Sequence, residues 1–136
     1  MTCYPSAMRT LKTRIEPVHT HSDARGSLFE PVDDRQIAAT RNVHVVLTAP
    51  GGVRGNHRHL VGTEISVVSG PALVRLKEDG EIIDIEVPAG ENWRFTVPPG
   101  VTHAYRNPGP GTMMLIGFNS ELHSATAPDQ VREEIL

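Results

Sequence analysis

Three histidines and one glutamate in this sequence have the types and spacing of a divided metal site. His57 and His59 stand on either side of one residue in the stretch RGNHRHLVGTE (54–64), which ends on Glu64, and His103 follows a Pro-Pro-Gly turn well downstream. Imidazole nitrogens and carboxylate oxygens bind divalent transition metals, and such a set leaves coordination positions open for water or a substrate. The set therefore predicts a catalytic centre for one divalent ion.

The residue types do not determine which ion is bound. They favour Zn²⁺ but suit Fe²⁺, Mn²⁺ and Ni²⁺ as well. The alternative is an interior without metal, in which the histidines form a hydrogen-bonded network or His57 itself acts as a base. The role of His57 as ligand or base therefore stays open at this stage.

The segments that carry these residues read as short β-strands. In a strand, side chains two positions apart share a face, so His57 and His59 can point together into an interior. Gly, Pro and Asp separate a series of such runs: NVHVVLTA, TEISVVSG, ALVRLKEDG, EIIDIEV, NWRFTV, HAYRN and TMMLIGFN. Their lengths and regular turns predict an all-β sandwich or barrel. Asp79-Gly80 is predicted to form a hairpin turn, and PDQVREEIL (128–136) a short C-terminal helix with Asp129 as its N-cap.

Composition limits the class of protein. The 136 residues fit one domain, predicted to span 9–136 after a disordered segment 1–8. A formal charge of −3 argues against nucleic-acid or anionic-membrane surfaces as partners. The single cysteine, Cys3, excludes an internal disulfide framework. Neither a membrane-spanning run nor a signal peptide is evident, so a cytoplasmic location is predicted.

Two motifs in the sequence resemble those of the cupin superfamily. GGVRGNHRHLVGTEISVVSG resembles the first cupin motif and PPGVTHAYRN the second, with these residues in place: Gly51, His57, His59, Glu64, Pro98, Gly100, His103 and Asn107. The resemblance implies a small double-stranded β-helix barrel of the jelly-roll type. Glu64 is one residue closer to Gly70 than in the usual pattern, and Gly90 is further from Pro98.

A narrower resemblance covers most of the chain. HSDARGSLFEPV (21–32) resembles the Asp-x-Arg-Gly-x-x-x-Glu opening of sugar-nucleotide epimerase and ketoisomerase cupins. Together with FNSELHSATAPDQ (118–130), it is most similar to the metal-binding cupin domain of CapF-type capsular polysaccharide synthesis enzymes. The resemblance implies epimerisation or isomerisation of a nucleotide-linked 4-keto-6-deoxy sugar, by removal of the proton next to the keto group. Relatives of the rhamnose pathway do this without metal.

The same resemblance implies further roles. Arg25 and Arg54 are candidates for gripping the nucleotide diphosphate, while Tyr105 and His44 are candidates for the acid or base that the metal does not occupy. Each has a simpler alternative: the arginines could tie loops to nearby carboxylates, and Tyr105 and His44 could fill the barrel. Arg58 alternates with the histidines and should face away from the site.

Rival functions and partners remain open at the level of sequence. The same four ligands would suit an Fe²⁺-dependent cupin oxygenase, and a non-catalytic cupin that only holds a small molecule is a second rival. A homodimer is expected, because a short β domain gains from covering its edge strands and because the family pairs its cupins. CapF-type enzymes also carry a reductase domain before the cupin, so a separate reductase subunit is an expected partner.

Overall fold

A computed structural model describes residues 11–124 and 127–136, so the predicted disordered segment 1–8 lies outside the described residues. The described chain is built almost entirely of strands. In chain order these are β1 (Arg14–Val18), β2 (Thr20–Asp23), β3 (Gly26–Phe29), α1 (Asp34–Ala39), β4 (Asn42–Thr48), β5 (Val53–His59), β6 (Glu64–Ser69), β7 (Ala72–Glu78), β8 (Glu81–Val87), β9 (Asn92–Val97), β10 (Thr102–Arg106), β11 (Met113–Asn119) and β12 (Gln130–Arg132). None of the described helices has the length and apolar character to cross a membrane.

Two five-stranded antiparallel sheets form a jelly-roll-like sandwich, which confirms the predicted fold class. The first sheet has the order β1-β9-β6-β11-β4, and the second has the order β12-β5-β10-β7-β8. Alternating residues of both sheets supply the main core; Val74, Leu76, Ile85, Phe95 and Val97 are fully buried in it. Because β5 and β10 belong to one sheet and β6 to the other, the ligand candidates face one another between the sheets.

The predicted C-terminal helix is wrong. Residues Gln130–Arg132 form β12, which pairs antiparallel with His57–His59 of β5. The side-chain oxygen of Asn56 then accepts the backbone N–H groups of Ile135 and Leu136 at 2.9 and 3.1 Å. A helix this short is marginal on its own, and the open edge of β5 offers the backbone better partners. Asp129 consequently caps no helix.

The turn prediction is confirmed, and one short helix was not predicted. Asp79 and Gly80 have φ values of +50° and +79°, as a tight hairpin between β7 and β8 requires. Helix α1 starts after a capping box in which Asp33 and Gln36 exchange side-chain hydrogen bonds to each other's backbone. That Asp-x-x-Gln spacing is visible in the sequence.

Candidate metal centre

The four predicted ligands meet in one cluster. One ligand atom from each of His57, His59, Glu64 and His103 lies within 4.8 Å of the other three. The ring of His103 is 4.8 Å from that of His57 and 5.6 Å from that of His59, measured between centroids. The carboxylate of Glu64 completes the group, with Oε1 3.7 Å from His59 Nε2 and Oε2 3.1 Å from His103 Nε2.

Strand register explains how separate motifs meet here. His57 lies opposite His103 in the β5–β10 pair, and the register shifts directly after His103. Gly55, in the preceding part of β5, has a φ of +87°, which lets the strand bend without a side-chain clash. Glu64 is the first residue of β6 and reaches the cluster from the opposite sheet.

Two buried nitrogen atoms in the cluster fit a metal ion. His59 Nδ1 lies 3.2 Å from the backbone oxygen of Asp129, and His103 Nδ1 lies 3.1 Å from that of Val101. A carbonyl can only accept, so both Nδ1 atoms carry hydrogen, and in the neutral imidazole each Nε2 then keeps its lone pair for the cluster. Neither Nε2 has a hydrogen-bond partner among the described residues, and His103 Nε2 lies 3.1 Å from Glu64 Oε2. Buried lone pairs in this arrangement suit a divalent cation.

The electrostatics of the cluster favour a neutral His57 and an anionic Glu64. Burial, assisted by the nearby His103, lowers the pKa of His57 to about 4, so this imidazole is neutral at neutral pH. Burial also opposes a charge on His59, but the Glu64 carboxylate raises the pKa of His59 above its usual value. Burial alone would raise the pKa of Glu64; the facing imidazoles of His103 and His59 hold it well below its usual range. Glu64 is therefore an anion between the rings.

The two predicted acid–base residues occupy different positions. Tyr105 is buried, and its hydroxyl donates to Ser66 Oγ at 2.7 Å, which in turn donates to Glu64 Oε2 at 3.1 Å. Burial, together with the charge of Glu64, raises the pKa of Tyr105 well above its usual value. His44 lines the cavity with a side chain that is 40% exposed, and its Nε2 lies 3.8 Å from Glu64 Oε1.

Neither predicted diphosphate-binding arginine lines the cavity around the cluster. Arg25 lies in the β2–β3 hairpin, where its guanidinium binds Asp23 at 2.6 Å with 91% of its side chain exposed. The pKa of Asp23 is lowered by that contact. Arg54 is exposed on β5. Arg58 contacts Glu133 at 3.2 Å on the outer side, as the alternation of β5 predicted.

The cluster opens into a cavity of about 300 Å³. Besides His57, His59, Glu64 and His44, its wall contains residues that sequence reasoning did not assign to the site: Asn42, Gly62, Asn119, Glu121, Leu122, His123, Ser124, Asp129 and Gln130. Most of them come from the segment that follows β11, and their contact with the site depends on how that segment folds back. The described wall contains neither arginine nor lysine.

Comparisons with known proteins agree with this architecture. A family model described as the polysaccharide biosynthesis C-terminal domain matches residues 21–131. The crystal structure of the capsular polysaccharide assembling protein CapF from Staphylococcus aureus is 29% identical over 88% of this chain, with a TM-score of 0.65. The aligned part is 33% of CapF, so the chain spans about a third of the length of that protein. The predicted resemblance to CapF is confirmed.

More distant structures share the fold. ChmJ, a 3'-monoepimerase from Streptomyces bikiniensis solved with dTDP-quinovose, is 17% identical over 88% of this chain and 68% of its own, with a TM-score of 0.68. QdtA, a sugar 3,4-ketoisomerase from Thermoanaerobacterium thermosaccharolyticum solved with TDP, is 20% identical over 89% of this chain and 88% of its own, with a TM-score of 0.63. No curated protein sequence matches the chain. At these identities the two structures establish the cupin fold alone.

Proposed function

Because the chain belongs to the polysaccharide biosynthesis C-terminal domain family, we propose that it is a metal-binding epimerase or isomerase of a nucleotide-linked 4-keto-6-deoxy sugar. The observation that carries the proposal is the cluster of His57, His59, Glu64 and His103 at the inner end of a cavity of about 300 Å³. The names of ChmJ and QdtA, which describe sugar epimerisation and ketoisomerisation, support the same class of substrate. Zn²⁺ is the ion we favour.

The reaction requires removal of an acidic proton beside a keto group. A bound divalent ion, held by the four ligands, would supply a Lewis acid for the oxygen that becomes negative. The chain must supply the group that moves the proton, and we assign this task to His44. The His44 ring packs over Gly117 to reach the cavity, and a Cβ added to Gly117 would lie 2.3 Å from the imidazole. The His44 Nδ1 lies 3.2 Å from the side-chain amide nitrogen of Asn119.

Tyr105 has a supporting task in this proposal. Its hydroxyl is hydrogen-bonded to Ser66 and is buried beneath Glu64 instead of lining the cavity. A raised pKa keeps the phenol protonated, so that it continues to donate to Ser66. The chain from Tyr105 through Ser66 to Glu64 holds the carboxylate in place.

Substitution of His44 by asparagine is expected to lower kcat by about 100-fold or more, the usual contribution of a positioned acid or base. Metal content should stay at the wild-type level, since His44 is outside the ligand set. The measurement is NMR of deuterium incorporation next to the keto group, with Tyr105→Phe as the comparison, for which a smaller loss is expected. Equal losses in the two variants would contradict the assignment of proton transfer to His44.

The substrate is tested with a panel of UDP- and dTDP-linked 4-keto-6-deoxy sugars in deuterated water. Metal-loaded protein should exchange the proton beside the keto group of one of them. A panel without any exchange would exclude the proposed sugar chemistry. Metal analysis of protein purified without a histidine tag, combined with an oxygen electrode, separates this reaction from that of an Fe²⁺ oxygenase. Ligand binding without turnover would instead identify a non-catalytic cupin.

We also propose that Arg25 and Arg54 contact the diphosphate of the substrate outside the cavity. The described cavity wall carries no arginine or lysine to neutralise it, and both side chains are exposed. Changing either arginine to alanine is expected to raise KM by about 10-fold with kcat nearly unchanged, the pattern of lost uniform binding. Steady-state kinetics measures both constants, and Arg14→Ala on β1 is the control. An unchanged KM in both variants would exclude this contact.

A second copy of the chain is the partner that we propose for β4. This strand ends the first sheet, and no strand of residues 11–124 and 127–136 pairs with its outer edge. Its outward side chains Val43, Val45 and Leu47 are 55–60% exposed. These side chains continue an apolar surface from the neighbouring strand β11 onto β4. On β11 this surface is already buried in the hydrophobic cluster around Phe118. An antiparallel pair of identical β4 strands would satisfy the backbone hydrogen-bonding groups of both edges at once.

A reductase subunit that acts in trans is a further proposed partner.

Substitution of Val45 by glutamate is expected to convert the dimer into a monomer, because two identical charges would face each other across the interface. Analytical ultracentrifugation measures the change, and Ile82→Glu, on the exposed side of β8, is the control. A wild-type protein that sediments as a monomer would exclude the dimer. A Val45→Glu dimer would place the interface elsewhere.

A further inference from the structure

Asp129 holds the turn that joins two of the ligand-bearing strands. It accepts hydrogen bonds from four consecutive residues: its backbone oxygen from His59 Nδ1 at 3.2 Å and Leu60 N at 3.3 Å, and its carboxylate from Val61 N at 2.8 Å and Gly62 N at 2.7 Å. Nothing in the proton-transfer chemistry uses these contacts. They concern instead the path of the chain between His59 and Glu64.

The turn is fixed at both ends. His59 ends β5 and Glu64 begins β6, so residues 60–63 determine how far the two ligands lie apart. Asp129 binds the first part of the turn, and the hydroxyl of Ser120 accepts the N–H of Thr63 at 2.9 Å in the last part. We propose that Asp129 is a positioning residue, which orients His59 Nε2 and sets the spacing between His59 and Glu64 for the metal ion. This inference rests on the proposed metal centre.

The position of Asp129 is itself fixed by the C-terminal segment. The residues after it pair with β5 as β12, directly opposite His57–His59. Farther on, the backbone oxygen of Asn56 accepts the N–H of Glu133 at 2.8 Å, and Lys77 and Arg58 bind the Glu133 side chain. The C-terminal segment therefore fixes β5, the strand that carries His57 and His59. Asp129 adds contacts from the same segment to the turn after β5.

A carboxylate has a chemical advantage at this position. Its two oxygens each accept one of two adjacent N–H groups, whereas an amide has one acceptor and would direct its NH₂ group at the second donor. Gly62 leaves the room that this contact needs, since a Cβ there would lie 2.8 Å from Asp129 Oδ2. Aspartate at 129 and glycine at 62 thus form a matched pair.

The test compares metal binding by Asp129→Asn and wild-type protein. Titration with Co²⁺ and Zn²⁺ against a chromophoric chelator should show an affinity lower by about 10-fold, because loss of the side-chain contacts to Val61 and Gly62 shifts the turn that positions His59 relative to Glu64. The visible spectrum of bound Co²⁺ should also change, because the position of His59 changes. The control is Asp79→Asn, an exposed carboxylate on the β7–β8 turn that is paired with Lys12; its affinity and spectrum should equal those of wild type.

Gly62→Ala disturbs the contact between Asp129 and Gly62 from the glycine side and should also lower the metal affinity. It carries the test if Asp129→Asn does not fold, as judged by circular dichroism. Wild-type protein that binds neither ion would refute the proposed metal centre itself. Wild-type binding together with unchanged affinity and Co²⁺ spectrum in the folded variants would overturn the positioning role, even if their melting temperature is lower.

Discussion

Replacement of His103 by alanine is expected to abolish tight binding of a divalent ion and, with it, turnover of the nucleotide sugar. The His103 side chain is fully buried, and its Nε2 lies 3.1 Å from Glu64 Oε2. Partners of ligands already contribute about 10–100-fold to metal affinity, so loss of a ligand is expected to cost more than about 100-fold. Dialysed protein should therefore contain almost no metal.

The control for this variant is His123→Ala. His123 is an exposed histidine at the cavity that lies outside the ligand cluster, so the substitution is chemically the same. Its metal content should equal that of wild type. Elemental analysis measures the metal, and deuterium exchange beside the keto group measures turnover. Full turnover by His103→Ala, insensitive to chelators, would contradict a metal-dependent reaction.

That outcome would identify His57 as a base in a metal-free site instead of a metal ligand. Burial lowers the pKa of His57 to about 4, so its imidazole is neutral at neutral pH. A neutral imidazole has a free lone pair, which can bind a metal or accept a proton. Two variants, His57→Asn and His103→Ala, distinguish a metal-dependent reaction from a metal-free one. Only in the metal-free reaction would His57→Asn be inactive while His103→Ala remains active.

The ligand cluster could be predicted from the sequence because its geometry is mostly local. His57 and His59 share a strand face by alternation, and Glu64 and His103 each stand next to a turn that fixes where a strand begins. What brings these strands together is the sandwich, and the strand-like runs and turns indicated that class of fold. The resemblance to cupins then identified the four residues as one set.

The C-terminal segment could not be predicted because its conformation depends on a distant partner. PDQVREEIL has residues that suit a helix, but the free edge of β5 and the side chain of Asn56 satisfy its backbone as an extended chain. Local propensity is a weak guide where such tertiary contacts compete. The same dependence hid Asp129, whose carboxylate appeared to be an N-cap and instead binds the turn at Val61 and Gly62.

Tyr105 illustrates a partial prediction. Tyr105 follows His103 by two positions on β10, and alternation correctly places both side chains on the same inward side. How deeply a side chain is buried depends also on the opposite sheet. Here Ser66 of that sheet accepts a hydrogen bond from the Tyr105 hydroxyl, which therefore does not reach the open cavity. A single strand pattern indicates the direction of a side chain but does not indicate what covers it.

Substitution of Gly55 by alanine is the second change for which a large effect is expected, here on both stability and metal affinity. Gly55 has a φ of +87°, and a Cβ at this position would lie 2.7 Å from the backbone oxygen of His103 and 3.1 Å from the Cα of Ala104. These are backbone atoms of the neighbouring strand, so a side-chain rotation cannot relieve the contact. The two strands would have to separate where His57 faces His103.

Gly90→Ala is the matched control, because Gly90 has a similar φ of +81° but open space around the added Cβ. It should lower the free energy of unfolding by about 1–2 kcal/mol, the cost of a left-handed conformation with a Cβ. Gly55→Ala should lower it by roughly 3 kcal/mol or more, since displacement of a packed strand adds to that cost. Urea denaturation of metal-free protein measures both values. Equal losses would show that β5 and β10 do not approach closely at Gly55, and the β5–β10 register that places His57 opposite His103 would then be wrong.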